Sequence, residues 1–89
     1  MKASQVAKLL ADKGFPIIGI LEPNALVDGM VEITANVHVQ VPLQGSGLNV
    51  VWIRADGEYE FEDVHDDLND VIADIRKALQ KVLAGQKRK

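Results

Sequence analysis

The sequence predicts a single α+β domain, a two-layer sandwich in which an antiparallel sheet of three to four strands carries an N-terminal and a C-terminal helix on one face, in the order α-β-β-β-β-α. Three observations predict it. Residues 31–41 place Val31, Ile33, Ala35, Val37, Val39 and Val41 on one parity and polar residues on the other, the period of two of a strand with one buried face. Val64, Leu68, Val71, Ile72, Ile75, Leu79, Val82 and Leu83 follow the 3–4 spacing of a helical stripe. Asp56-Gly57, a pair common in tight turns, precedes a second alternating run at 58–62, which predicts a hairpin.

The elements follow in order. Ser4 is a natural N-cap for a helix running to about Lys13, with Val6, Leu9 and Leu10 on one face and Gly14 as the C′ residue. Phe15 supplies the apolar contact of such a cap, and Pro16 cannot continue the helix. Residues 17–21 are β-branched and apolar, suited to a buried strand, and Glu22-Pro23-Asn24 is turn chemistry. Residues 25–27 fit either a strand extension or a loose turn before Asp28-Gly29, a pair common in tight turns. The alternation at 31–41 exceeds the ~5–6 residues of an ordinary strand, so a bend or bulge near residues 34–36 is expected before Pro42 ends the ladder. After the loop at 44–47, residues 48–54 form the next strand. On the return strand Tyr59 and Phe61 are expected to face the core and Glu58, Glu60 and Glu62 the solvent. Asp63 then caps the last helix and Gly85 closes it, giving a domain at 1–85 and a basic, frayed tail at 86–89.

Composition narrows the function. At 89 residues the chain is long enough for one core, and its mixture of 47% apolar and 26% charged residues is that of a folded chain rather than a disordered one. With no cysteine, disulfides, thiolate metal sites and thiol nucleophiles are excluded. No apolar run approaches a signal peptide or the ~18 residues of a membrane span, so a cytoplasmic location is expected. The formal charge of −3 disfavours nucleic acid and anionic membrane as partners.

No catalytic constellation is apparent. Ser4, Ser46 and Thr34 lack an elbow motif or a positioned base, and 45–47 precedes a strand and lacks the lysine of a phosphate loop. His38 and His65 have no spacing that forces a metal site, and the acidic run lacks the register of a calcium loop. An enzyme, a cofactor and a metal are therefore not expected. Arg76, Lys77, Lys81 and the basic tail complement the C-terminal end of the last helix dipole.

The residues expected to meet a partner form two groups. Glu32, Thr34, His38 and Gln40 occupy the outward parity of the long strand. Glu58, Glu60, Asp66, Asp67 and Asp70 belong to an acidic run, of which Asp66 and Asp67 also suit the first turn of a helix. Trp52 stands apart, because Leu48, Val50 and Trp52 share one parity while Val51 and Ile53 share the other. That strand is either central and covered twice, or it keeps an apolar face for a partner.

The helix, three-strand, helix order resembles the double-stranded-RNA-binding domain, in order only. That family carries a lysine cluster at the start of its second helix, where this chain has Asp63-Val64-His65-Asp66-Asp67-Leu68, and the extra strand at 17–21 also departs from the pattern. The leading expectation is a non-enzymatic protein-interaction module, self-associating or binding another protein through the sheet face or an edge. Two alternatives are an acidic inhibitor or nucleic-acid mimic acting through 58–70, and a small metal- or ligand-binding protein using His38 and His65.

Overall fold

The computed structural model describes residues 2–21, 27–45 and 47–87. The chain forms α1 (Ala3–Asp12), β1 (Gly19–Leu21), β2 (Val27–Thr34), β3 (Val37–Pro42), β4 (Asn49–Ile53), β5 (Tyr59–Phe61) and α2 (Leu68–Lys87). The strands make one antiparallel sheet in chain order, β1-β2-β3-β4-β5. Both helices pack on one face, so the two-layer α+β sandwich is as expected, with five strands among the described residues instead of three to four. No helix among them is long and apolar enough to cross a membrane.

The core lies between the helices and that face. Val31 and Ile33 of β2, Val37, Val39 and Val41 of β3 and Val50 of β4 are fully buried against Val6 and Leu10 of α1 and Val71 and Ile75 of α2. Each such side chain contributes about 1.5–3 kcal/mol by leaving water. Trp52, Phe15 and Ile17 flank the cluster, partly buried.

The fifth strand comes from the long alternation, which is a hairpin. Ala35 and Asn36 form the turn, and Thr34 Oγ1 accepts a hydrogen bond from the Asn36 N–H at 3.2 Å. A regular two-residue turn would carry the pairing of Thr34 with Val37 into Ile33 with His38, sending one arm's apolar residues outward. A register shift between Glu32 and Thr34 intervenes, and Glu32 pairs with His38 and Val31 with Val39. The expected bulge is therefore present, beside a full reversal, and it keeps Val31 and Ile33 inward together with Val37, Val39 and Val41.

Loop length also decides β5, where the expected parity is reversed. Arg54 N–H donates to the Glu58 carbonyl and Gly57 N–H to that of Arg54, so residues 55–57 form a three-residue loop with Gly57 at φ 88°. Ile53 consequently pairs with Tyr59 and Val51 with Phe61. Tyr59 and Phe61 share the face opposite the helices, while Glu60 and Glu62 lie on the helix side with Trp52. A two-residue loop at Asp56-Gly57 would have given the opposite arrangement.

Helix boundaries differ from expectation as well. Ser4 lies inside α1, whose N-cap is Lys2. Lys2 N–H donates to Gln5 Oε1 at 2.8 Å and Ala3 N–H to Asp28 Oδ2 at 2.8 Å, so a carboxylate from β2 satisfies a helix-start donor. The other end is as expected. Gly14 has φ 93°, and the bonds from Gly14 N–H to the Ala11 carbonyl and from Phe15 N–H to that of Leu10 make a Schellman end. Asp63 does not cap α2. Past β5 the chain bridges His65 to Leu48 and bends at residues 66 and 67, and Asp67 precedes the helix, accepting from Asn69 N–H at 2.9 Å. Val64 and Leu83, assigned to the buried stripe, are exposed. Gly85 does not end α2, whose backbone continues through Gln86 and Lys87. The turn at 22–24, residues 25 and 26, Ser46 and residues 88–89 lie outside the described residues.

Candidate functional site: the open face of the sheet

The face without helices is built from two cross-strand rows. Gly19, Glu32, His38, Val51 and Phe61 form one, and Leu21, Met30, Gln40 and Asn49 the other. Ile53 and Tyr59 extend it toward the β4–β5 turn. Val51 is 1% exposed and His38 7%, although both described helices pack on the other face of the sheet. Tyr59 and Phe61 remain 58% and 62% exposed, and Val64, 66% exposed, continues beyond them.

The polar centre of the face is the pair Glu32–His38, with Oε2 and Nε2 3.6 Å apart. That is an ion-pair distance when His38 is protonated and too long for a hydrogen bond. His38 Nε2 is buried without a hydrogen-bond partner. Beside it, Gln40, Pro42, Gly47, Asn49 and Val64 line a shallow depression of about 320 Å³. A Cβ on Gly47 would overlap Val64 Cγ1, so glycine there lets the segment after β5 close against the β3–β4 loop.

Of the residues singled out from sequence, Glu32, His38 and Gln40 come together on this face, and Thr34 sits at the β2–β3 turn. Trp52 is on the helix side. Its Nε1–H donates to Glu62 Oε2 at 2.9 Å, and Lys81 Nζ lies 5.6 Å from its ring centroid and 3.5 Å from the same carboxylate. These contacts hold the Glu62 carboxyl below its ordinary range, chiefly through the Trp52 bond and with help from Lys81, against the opposing effect of burial.

The acidic run does not form one array. Glu60 is paired with Arg54 at 3.1 Å and Asp56 with the same guanidinium at 2.6 Å, while Glu58 is exposed in the β4–β5 hairpin. Asp66 and Asp67 precede α2, and Asp70 lies in its first turn. His65, expected on the helix flank, lies before it with Nε2 2.8 Å from Asp74 Oδ2, tying this segment to α2. Among the described residues no three His, Cys, Asp or Glu side chains converge to hold a metal ion.

Sequence reasoning missed Val51, Ile53, Tyr59 and Phe61 as members of the face. The signal available was the apolar character of both parities of residues 48–53. In comparisons with known proteins, no family model, curated protein or solved structure matches the chain.

Proposed function

We propose that the domain is a non-enzymatic protein-interaction module that docks a protein partner on the open face of its sheet. The observation that carries this is the pair Tyr59 and Phe61, more than half exposed beside Ile53 and Val51. At about 150–250 Å² per aromatic side chain, they leave roughly 200–300 Å² of ring surface in water. With Ile53 and Val64 beside them, the contiguous apolar patch is of the few-hundred-Å² size that is often functional on a protein surface. Tyrosine and phenylalanine are also enriched where interfaces form.

The test installs a photo-crosslinking phenylalanine analogue at position 61, and as a control at position 69 on exposed α2, in the full chain expressed in its source cells. The expected result is one recurrent protein adduct from position 61, lost when Ile53 and Tyr59 are changed to serine and absent from position 69. No adduct, or the same adducts from both positions, would refute the proposal. Light scattering alongside identifies the occupant: a mass of two chains, abolished by the same substitutions, makes it a second copy.

A further inference from the structure

The open face names a surface; the edge beside it narrows the chemistry of what binds. β5 ends the strand order and is paired on one side only. Arg54 N–H donates to the Glu58 carbonyl and Glu62 N–H to that of Val50. In an antiparallel ladder, hydrogen-bonded and non-hydrogen-bonded pairs alternate, so the Tyr59–Ile53 and Phe61–Val51 pairs are the non-hydrogen-bonded ones. The N–H and C=O groups of Tyr59 and Phe61 therefore point away from β4, two donors and two acceptors in line. The edge is three residues long and carries neither proline nor lysine at 58–62; the charges it presents are the glutamates, which a partner strand has to answer.

A strand laid along this edge would continue both faces of the sheet. Its residues opposite Tyr59 and Phe61 fall on the open face and extend the aromatic patch. Those opposite Glu58, Glu60 and Glu62 fall on the helix side, where Asp56, Glu58, Glu60 and Glu62 outnumber Arg54, Lys77 and Lys81. Apolar and cationic residues in alternation fit that pattern. A second copy does not, because two β5 edges paired antiparallel would set glutamates against glutamates, and like charges directly opposite destabilise a sheet.

We infer that β5 is an acceptor edge for an extended segment of another protein in which lysine or arginine alternates with apolar residues, added as a sixth strand. The inference rests on the docking reading above and gives its partner a chemistry. Main-chain bonds supply affinity and the alternating side chains supply selectivity.

The experiment adds the peptide Lys-Val-Lys-Val-Lys-Val-Lys, up to millimolar concentration, to the isotopically labelled full-length protein and follows amide hydrogen exchange by NMR. Exchange at Tyr59 and Phe61 should slow about tenfold at ten times the dissociation constant. A version with alternate amides N-methylated should leave both rates unchanged, and Glu58→Lys should weaken the unmodified peptide about fivefold or more, as expected for an opposed charge. Unchanged exchange at Tyr59 and Phe61, equal binding of the N-methylated peptide, or indifference to Glu58→Lys would each overturn the inference. A crosslinked partner at position 61 with no effect of peptide refutes the edge alone; protection by peptide with no crosslinked partner refutes the docking reading alone.

Discussion

Replacing Glu62 with alanine removes an interaction whose worth can be worked from its geometry. The Trp52 indole donates to the ionised carboxylate at 2.9 Å, and a hydrogen bond to a charged group contributes about 1.5–3 kcal/mol. Trp52 is only half-buried, so water partly replaces the lost acceptor. The Lys81 ion pair at 3.5 Å, with the lysine half exposed, adds no more than about 0.2–1 kcal/mol. The net cost of Glu62→Ala at pH 7 is therefore about 2 kcal/mol, or about 8–16 °C in a domain of this size. Because the folded protein holds this carboxyl below its ordinary range, its stabilisation is fully present above the unfolded value of about 4.3 and is lost as pH falls through the folded value. A protonated acid still offers a neutral acceptor, so the penalty of the variant should shrink below about 1 kcal/mol once the pH has fallen through the folded value. Urea melts followed by the emission of Trp52, the single tryptophan, measure both numbers directly. Glu62→Gln, which keeps an acceptor and loses the charge, should fall between wild type and alanine. A cost under about 0.5 kcal/mol at pH 7, or the same cost once the carboxyl is protonated, would show that the indole–carboxylate bond does not stabilise the fold in the manner described.

Two further substitutions probe the ends of the argument. Asp28→Ala, which takes the acceptor from Ala3 N–H at the start of α1, should cost about 1 kcal/mol, as loss of a cap does, while Asp28→Asn should keep most of it. Equal thermal melts for the two variants would refute the cap. His38→Leu should raise stability by about 1 kcal/mol and the melting temperature by about 4–8 °C, because it removes a buried nitrogen with no hydrogen-bond partner; a fall in melting temperature would mean that the imidazole is compensated in the folded state.

The layering of the domain was legible in the sequence because it depends on periodicity, which survives local error. The 3–4 stripe of α2 and the inward valines of β2 and β3 were enough to place helices on one face. What periodicity cannot report is loop length. The bulge between Glu32 and Thr34 preserves the alternation through a complete reversal of the chain, so Ala35 and Asn36 read as strand. The three-residue loop ending at Gly57 sends Tyr59 and Phe61 to the face where hydrophobicity alone would not put them. Of the candidate site, Glu32, His38 and Gln40 were visible as an outward parity. Its aromatic part was hidden because a large apolar side chain on an amphipathic strand is read as core until the register of its partner is known. The Asp28 contact with α1 joins residues twenty-five apart in sequence, and no local pattern marks it.

The strand order has a kinetic consequence. Each strand pairs with its neighbour along the chain, so no pairing waits for a distant segment to be ordered, and closing each hairpin costs little because loop entropy grows only slowly with length, by about 0.6 kcal/mol per doubling. The turns at Ala35-Asn36 and at 55–57 can nucleate the sheet on the microsecond scale of hairpin formation. The slower step is then the arrival of α1 on β2 and of α2 on β3 and β4, which links the two ends of the chain to the middle. Assembly from the centre outward keeps the valine-rich face of the nascent meander uncovered until the helices dock, and the interval before that docking is when the folding chain is most exposed to aggregation.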